Sequence, residues 1–113
     1  MQITYASKAI QRLCEEDKHQ RKHLGENRAK RLRARIRELR AVENVKKLLY
    51  GNPHPLIGDR AGQFSVDLDG PMRLLFEPID QPPPTLPSGG IDWQQVCSVC
   101  ILEIEDTHGF TRH

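Results

Sequence analysis

The stretch Gln63–Pro78, "QFSVDLDGPMRLLFEP", decides how the rest of the chain is read. Phe64, Val66 and Leu68 alternate with Gln63, Ser65 and Asp67, the period-two pattern of a strand with one buried face. Asp69-Gly70-Pro71 is a tight turn. Met72 to Glu77 then returns as a second strand, which Pro78 ends. The two runs read as a hairpin. If Phe64, Val66 and Leu68 point into a core with Met72, Leu74 and Phe76, then Arg73 stands on the opposite face beside Ser65 and Gln63. An arginine in mid-strand is costly unless its face is open, holds a ligand or offers an acid. Glu77 and Asp67 are the acids that would pair with it.

Toward the N-terminus, Gln2 to Ala6 holds the β-formers Ile3, Thr4 and Tyr5 and reads as a first strand. Ser7 caps a helix that starts at Lys8, with Ile10, Leu13 and Cys14 on one face. Gly25 breaks that pattern. A second helix, about Glu26 to Ala41, carries Ala29, Leu32, Ile36 and Leu39 at core-facing spacing. The rest of it is basic: Arg28, Lys30, Arg31, Arg33, Arg35, Arg37 and Arg40. A third short helical piece is expected from Val42 to Leu49. Toward the C-terminus, "PIDQPPPTLPSGG" (residues 78–90) holds five prolines and two glycines. It marks an exposed Pro-rich loop, residues 78–92, that cannot join a sheet. Trp93 is expected to anchor the last strand, Val96 to Glu105. That strand is apolar on both sides until Glu103 and so belongs in the middle of the sheet. The order β-α-α-(α)-β-β-β predicts an α+β fold, with two to three helices packed on one face of a small antiparallel-rich sheet.

The chain has 113 residues, enough for a single domain, 1–113, with one modest core. Its 28% charged and 37% hydrophobic residues fit a globular protein and not a disordered one. No apolar run approaches a membrane span, and Met1 to Tyr5 lacks a signal peptide's basic start, so a cytoplasmic protein is expected. The formal net charge of +2 hides a split. Residues 1–50 carry 14 cations against 6 acids, and residues 51–113 carry 3 against 9. Such asymmetry suits either a polyanion-facing surface or a solvated helix face. Three cysteines, Cys14, Cys97 and Cys100, argue against a disulfide framework. Cys97 and Cys100, three apart in a strand, would lie about 10 Å apart, beyond disulfide reach. All three are read as buried structural thiols.

Two motifs, "HPLIGDRAGQFSVDLDGPMRLLFEP" and "ILEIEDTH", resemble the HigB-like toxins of the RelE/ParE superfamily, in the longer subgroup of plasmid maintenance killer proteins. The resemblance covers about residues 1–109 and is strongest over 54–77 and 101–108. It implies a RelE/ParE-like fold and the toxin of a type II toxin–antitoxin module. Such a toxin is a metal-independent, ribosome-dependent mRNA endoribonuclease. A cognate helix-turn-helix antitoxin of HigA type neutralises it, and operator DNA is met only through the toxin–antitoxin complex. Neither a cofactor nor a metal is implied. Relatives of ParE type poison DNA gyrase on the same fold, so the fold alone leaves the target open.

Metal-free RNA cleavage uses the 2′-hydroxyl as nucleophile. It needs a base, an acid and cations on the phosphorane. The resemblance assigns His54 and His108 to proton transfer, Arg73 to the scissile phosphate, and Asp106 to orienting a histidine. His54 is otherwise a surface-loop histidine, and Asp106 and His108 the polar end of a strand. Arg60 would add a cation, or pair with Asp59. Arg28, Lys30, Arg31, Arg33, Arg35 and Arg37 would hold RNA or dock an acidic segment of the antitoxin, two uses that need the same charge. Thr107 departs from the family's tyrosine and loses a stacking ring; Phe110 is an auxiliary aromatic. That departure keeps a second reading open, a catalytically weak member that binds antitoxin or operator.

Overall fold

The computed structural model describes residues 1–107. The elements run β1 (Gln2–Tyr5), α1 (Lys8–Glu15), α2 (Asp17–Leu24), α3 (Glu26–Ala41), β2 (His54–Pro55), β3 (Phe64–Asp69), β4 (Met72–Pro78) and β5 (Ser98–Asp106). The strands form one sheet in the order β1-β5-β4-β3-β2. β1 runs parallel to β5, and the other pairs are antiparallel. This is an α+β fold with β5 inside the sheet, as expected from its apolar run.

The hairpin has the parity its alternation implies. Phe64 pairs with Phe76 and Val66 with Leu74, and all four lie in the core with Leu68 and Met72. Phe64 stacks on Phe76 at 5.4 Å between ring centroids and meets the edge of Trp93 at 4.8 Å. Trp93 therefore fastens the approach to β5 onto the hairpin. β5 adds Val99, Ile101 and Ile104 to the same core. Strict alternation fails there: Leu75 faces Glu103, but Phe76 faces Ile101, so Leu102 is an extra, bulged residue. The bulge lets Ile101 and Ile104 both point inward, which accounts for a run that looked apolar on both sides.

Ser7 caps α1, accepting from Ile10 N at 3.2 Å. The first helical stretch is two helices, because Glu16 is extended (φ −98°, ψ 104°). Gln20, fully buried, holds the corner. Its Nε2 donates to the Leu13 and Cys14 carbonyls at 3.1 and 3.3 Å, groups left open at the end of α1. Its Oε1 accepts from Arg33 Nη1 at 2.8 Å, which joins α3 to the same corner. α3 buries Ala29, Leu32, Ile36 and Leu39, as its spacing predicts. The third helical piece is only a 3-10 turn, Val45–Lys47. Asn44 is extended (φ −151°), and Val45 N donates to Val96 O at 3.1 Å instead of along a helix.

Gly51 is fixed by its surroundings. Its φ is +80°, and a Cβ there would lie 2.7 Å from Arg35 Nε and 2.9 Å from the Asp67 carbonyl oxygen. Asp67 N donates to Gly51 O at 2.6 Å, which brings the segment before β2 against β3. Pro78 still pairs with Val99 at the end of β4, whereas the rest of the Pro-rich loop stays out of the sheet but has its own order. Thr85 and Ile91 form an isolated bridge, and Leu86 N donates to Gly90 O at 2.7 Å. The cysteines are all free. Cys14 is buried and Cys100 half-buried, but Cys97 is exposed, which corrects its reading as a buried thiol. It lies just before β5 begins, outside the alternation that buries Val99.

Candidate active site

The face of the sheet away from the helices carries the polar residues. Register sets them in rows across the strands. His54, Ser65, Leu75 and Glu103 form one row over β2, β3, β4 and β5. Asp67, Arg73 and Glu105 form the next. Residues opposite one another share a face, so His54, Arg73, Glu103 and Glu105 belong together.

Glu105 is the centre of this face. Arg73 donates to its Oε2 from Nε at 3.0 Å and from Nη2 at 2.7 Å. Arg60, in the 3-10 turn Gly58–Arg60, reaches the same carboxylate. Its Nη1 donates to Oε2 at 2.8 Å, and its Nη2 donates to Oε1. Arg60 Nη1 also lies 3.6 Å from Glu103 Oε1. Glu105 is only 4% exposed. Burial pushes its pKa up, but the hydrogen bonds from Arg73 and Arg60 and the charges of both outweigh this and hold it below the ordinary carboxylate value.

To meet β5 from the connection between β2 and β3, Arg60 must cross β3 and β4. The segment 56–63 therefore folds over the sheet face, its ends joined by Leu56 N donating to Gln63 O at 2.9 Å. Ser65 and Leu75, on this face, are fully buried although the helices lie on the other side. The Ser65 hydroxyl has no hydrogen-bond partner among the described residues.

His54 is half-buried, and its Nδ1 donates to the Asn52 carbonyl at 2.8 Å. In the neutral ring this leaves the lone pair on Nε2, ready to take a proton. The Cα atoms of His54 and Arg73 are two strands and one row apart, about 12 Å. Arg73 spends Nε and Nη2 on Glu105, so its Nη1 donors remain for a phosphate.

The other candidate residues divide. Asp106 pairs with Met72, a core position, and so takes the helix-side parity instead of joining Arg73. The acid that meets Arg73 is Glu105, one residue earlier, and neither Glu77 nor Asp67. Glu103 and Glu105 share a parity in β5, but it is the bulge at Leu102 that turns that parity toward Arg73. Thr107 is exposed, and its N donates to Pro71 O at 2.8 Å, one step beyond the β4–β5 pairing. His108 and Phe110 lie outside the described residues.

The basic helix also divides. Arg35 is buried, donating from Nε to Asp67 O at 2.9 Å and from Nη1 to both Glu38 oxygens at 2.9 Å. It holds α3 to β3, which removes it from the set that would face RNA. Arg28 lies 3.9 Å from Asp69 Oδ2, and Arg33 is bonded to Gln20. Arg60 belongs to the sheet face. Lys30, Arg31 and Arg37 are exposed and line a depression of about 490 Å³ with Asn27, Ala34 and Asp69.

Among the described residues, no three of His, Cys, Asp and Glu converge as ligands for a metal ion. No helix there is long and apolar enough to cross a membrane. No family model matches the chain, and no curated protein matches it in sequence.

Proposed function

We propose that this chain is the toxin of a type II toxin–antitoxin module, of RelE/ParE type, and cleaves RNA without a metal. The observation that supports the reading is that His54 and Arg73 stand on one face of the sheet, with the Nη1 group of Arg73 outside its bonds to Glu105. His54 Nε2 takes the proton of the ribose 2′-hydroxyl. The freed oxygen attacks the adjacent phosphorus, and the bond to the 5′-oxygen breaks. The products are a 2′,3′-cyclic phosphate and a 5′-hydroxyl. Arg73 Nη1 binds a non-bridging oxygen, where charge builds in the phosphorane. The leaving oxygen takes a proton from a second acid, a role the resemblance gives to His108. The mRNA on a ribosome is the substrate, and a helix-turn-helix antitoxin is the neutralising partner.

Induction in cells, read by primer extension on a reporter transcript, tests this. Wild type should produce cuts within translated sequence and arrest growth. His54→Ala and Arg73→Ala should each lower cleavage at least about 100-fold, the scale of losing one acid–base or charge-stabilising group. Intact transcripts in cells that the wild type arrests would overturn it.

One observation favours a second reading, a weak nuclease that serves as a binding module. Arg60 and Arg73 face Glu105 and Glu103, so the charges of this cluster cancel. A cluster without net charge draws a phosphate weakly. Growth without arrest, together with tight binding to the product of an adjacent antitoxin gene, would select this reading.

A further inference from the structure

Arg60 and Arg73 come from different elements, yet both end on Glu105, and they hold it in different ways. Arg60 meets the carboxylate end-on, with Nη1 on Oε2 at 2.8 Å and Nη2 on Oε1, one donor for each oxygen. Such a fork fixes the plane of the carboxylate. Arg73 meets it side-on, with Nε at 3.0 Å and Nη2 at 2.7 Å, both on Oε2. The guanidinium is planar, so a side-on contact turns Nη1 away from the carboxylate. Glu105 is buried in β5 and has little room to swing. An arginine without such a partner samples many rotamers, and its head has no single place.

We propose that Glu105 and Arg60 are positioning residues for RNA cleavage: Arg60 fixes Glu105, and Glu105 holds the Arg73 guanidinium with Nη1 turned toward the phosphate. This rests on the nuclease reading above. Arg60 by its fork already satisfies both oxygens of Glu105. What the second, side-on arginine gains from the pair is a fixed orientation, and preorganised donors are worth most where charge develops. Arg60 itself stands behind Arg73 instead of on the phosphate. Both its terminal nitrogens are spent on acids of β5, Glu105 and, at 3.6 Å, Glu103.

The test uses purified protein on ribosomes programmed with a reporter mRNA, with cleavage read by primer extension over a range of ribosome concentrations. Glu105→Gln should lower kcat about 10- to 100-fold and change KM by less than about 3-fold, because a misaimed guanidinium still attracts phosphate but fits the phosphorane poorly. Arg60→Lys keeps the charge but loses the fork, and should fall as far as Arg60→Gln. In an Arg73→Ala background, Glu105→Gln should cost less than about 3-fold, since the group it positions is gone. A loss from general instability would recur there in full. Circular dichroism at the assay temperature checks the fold of each variant, and the Arg60→Lys arm decides if Glu105→Gln does not fold. With wild type cleaving, four results would each overturn this proposal alone: full rate in Glu105→Gln, a rate above wild type in that variant, rescue by Arg60→Lys, or an undiminished loss in the Arg73→Ala background. Wild type that cleaves nothing would remove the nuclease reading and this proposal with it.

Discussion

Glu105 holds two arginines from two different elements, and its removal affects both. Its folded-state pKa lies below the ordinary 4.5. Its contribution to stability is therefore complete above that value and is lost as pH falls through the lowered one. Melting temperature should hold from neutral pH down to about 4.5 and drop below it. In Glu105→Gln the neutral-pH stability should fall by about 1–3 kcal/mol, and part of the acid-side drop should vanish. An unchanged acid profile in that variant would show that other carboxylates set it. Gly51 is constrained more simply. Gly51→Ala sets a methyl carbon 2.9 Å from a backbone oxygen at a left-handed φ, and should cost about 1–3 kcal/mol in urea unfolding. The thiols also differ. Burial raises the Cys14 pKa to about 12, so it stays protonated and inert. Cys97 is exposed. A maleimide probe on folded protein should label Cys97 well before Cys14, as peptide mass spectrometry would show.

Among the elements, the α1–α2 corner depends on one buried side chain. Gln20→Leu keeps the volume but leaves two helix-end carbonyls and Arg33 without their partner. It should cost about 1–3 kcal/mol, and amide exchange should rise first in α1 and α2. A variant as stable as wild type would mean that water satisfies those groups. This corner was not legible in the sequence, because Gln20 sits in "DKHQRKH", where every residue looks exposed. The hairpin was legible because its alternation survives intact, from Phe64 to Phe76. α3 was legible for the same reason, with Ala29, Leu32, Ile36 and Leu39 all on its buried side. β5 was legible as an interior strand but not in its details. Its bulge at Leu102 decides which of the acids near its end faces Arg73, and local alternation does not report a bulge. That is why Asp106 stood out in the motif while Glu105 bonds to the arginine. The division of α3's arginines was hidden for a related reason: pairing depends on Asp69, Gln20 and Glu15, which other elements bring into reach.

At the scale of the molecule, charge and fold are arranged back to back. The helix layer presents Lys30, Arg31 and Arg37 outward, and the sheet face opposite pairs its arginines with glutamates. The strand order has a further consequence, for how the chain reaches this state. β5 lies between β1 and β4, yet it follows both in sequence, by more than ninety residues in the case of β1. During synthesis β1 has no strand to pair with until β5 leaves the exit tunnel. The helices and the hairpin find most of their own partners sooner. The sheet therefore closes late, through pairings of long sequence separation, and slow closure of this kind is where unpaired edges meet one another. A nascent chain stalled before residue 98 would carry an open slot the width of one strand, and an extended peptide supplied in trans with the sequence of β5 is the natural ligand to fill it.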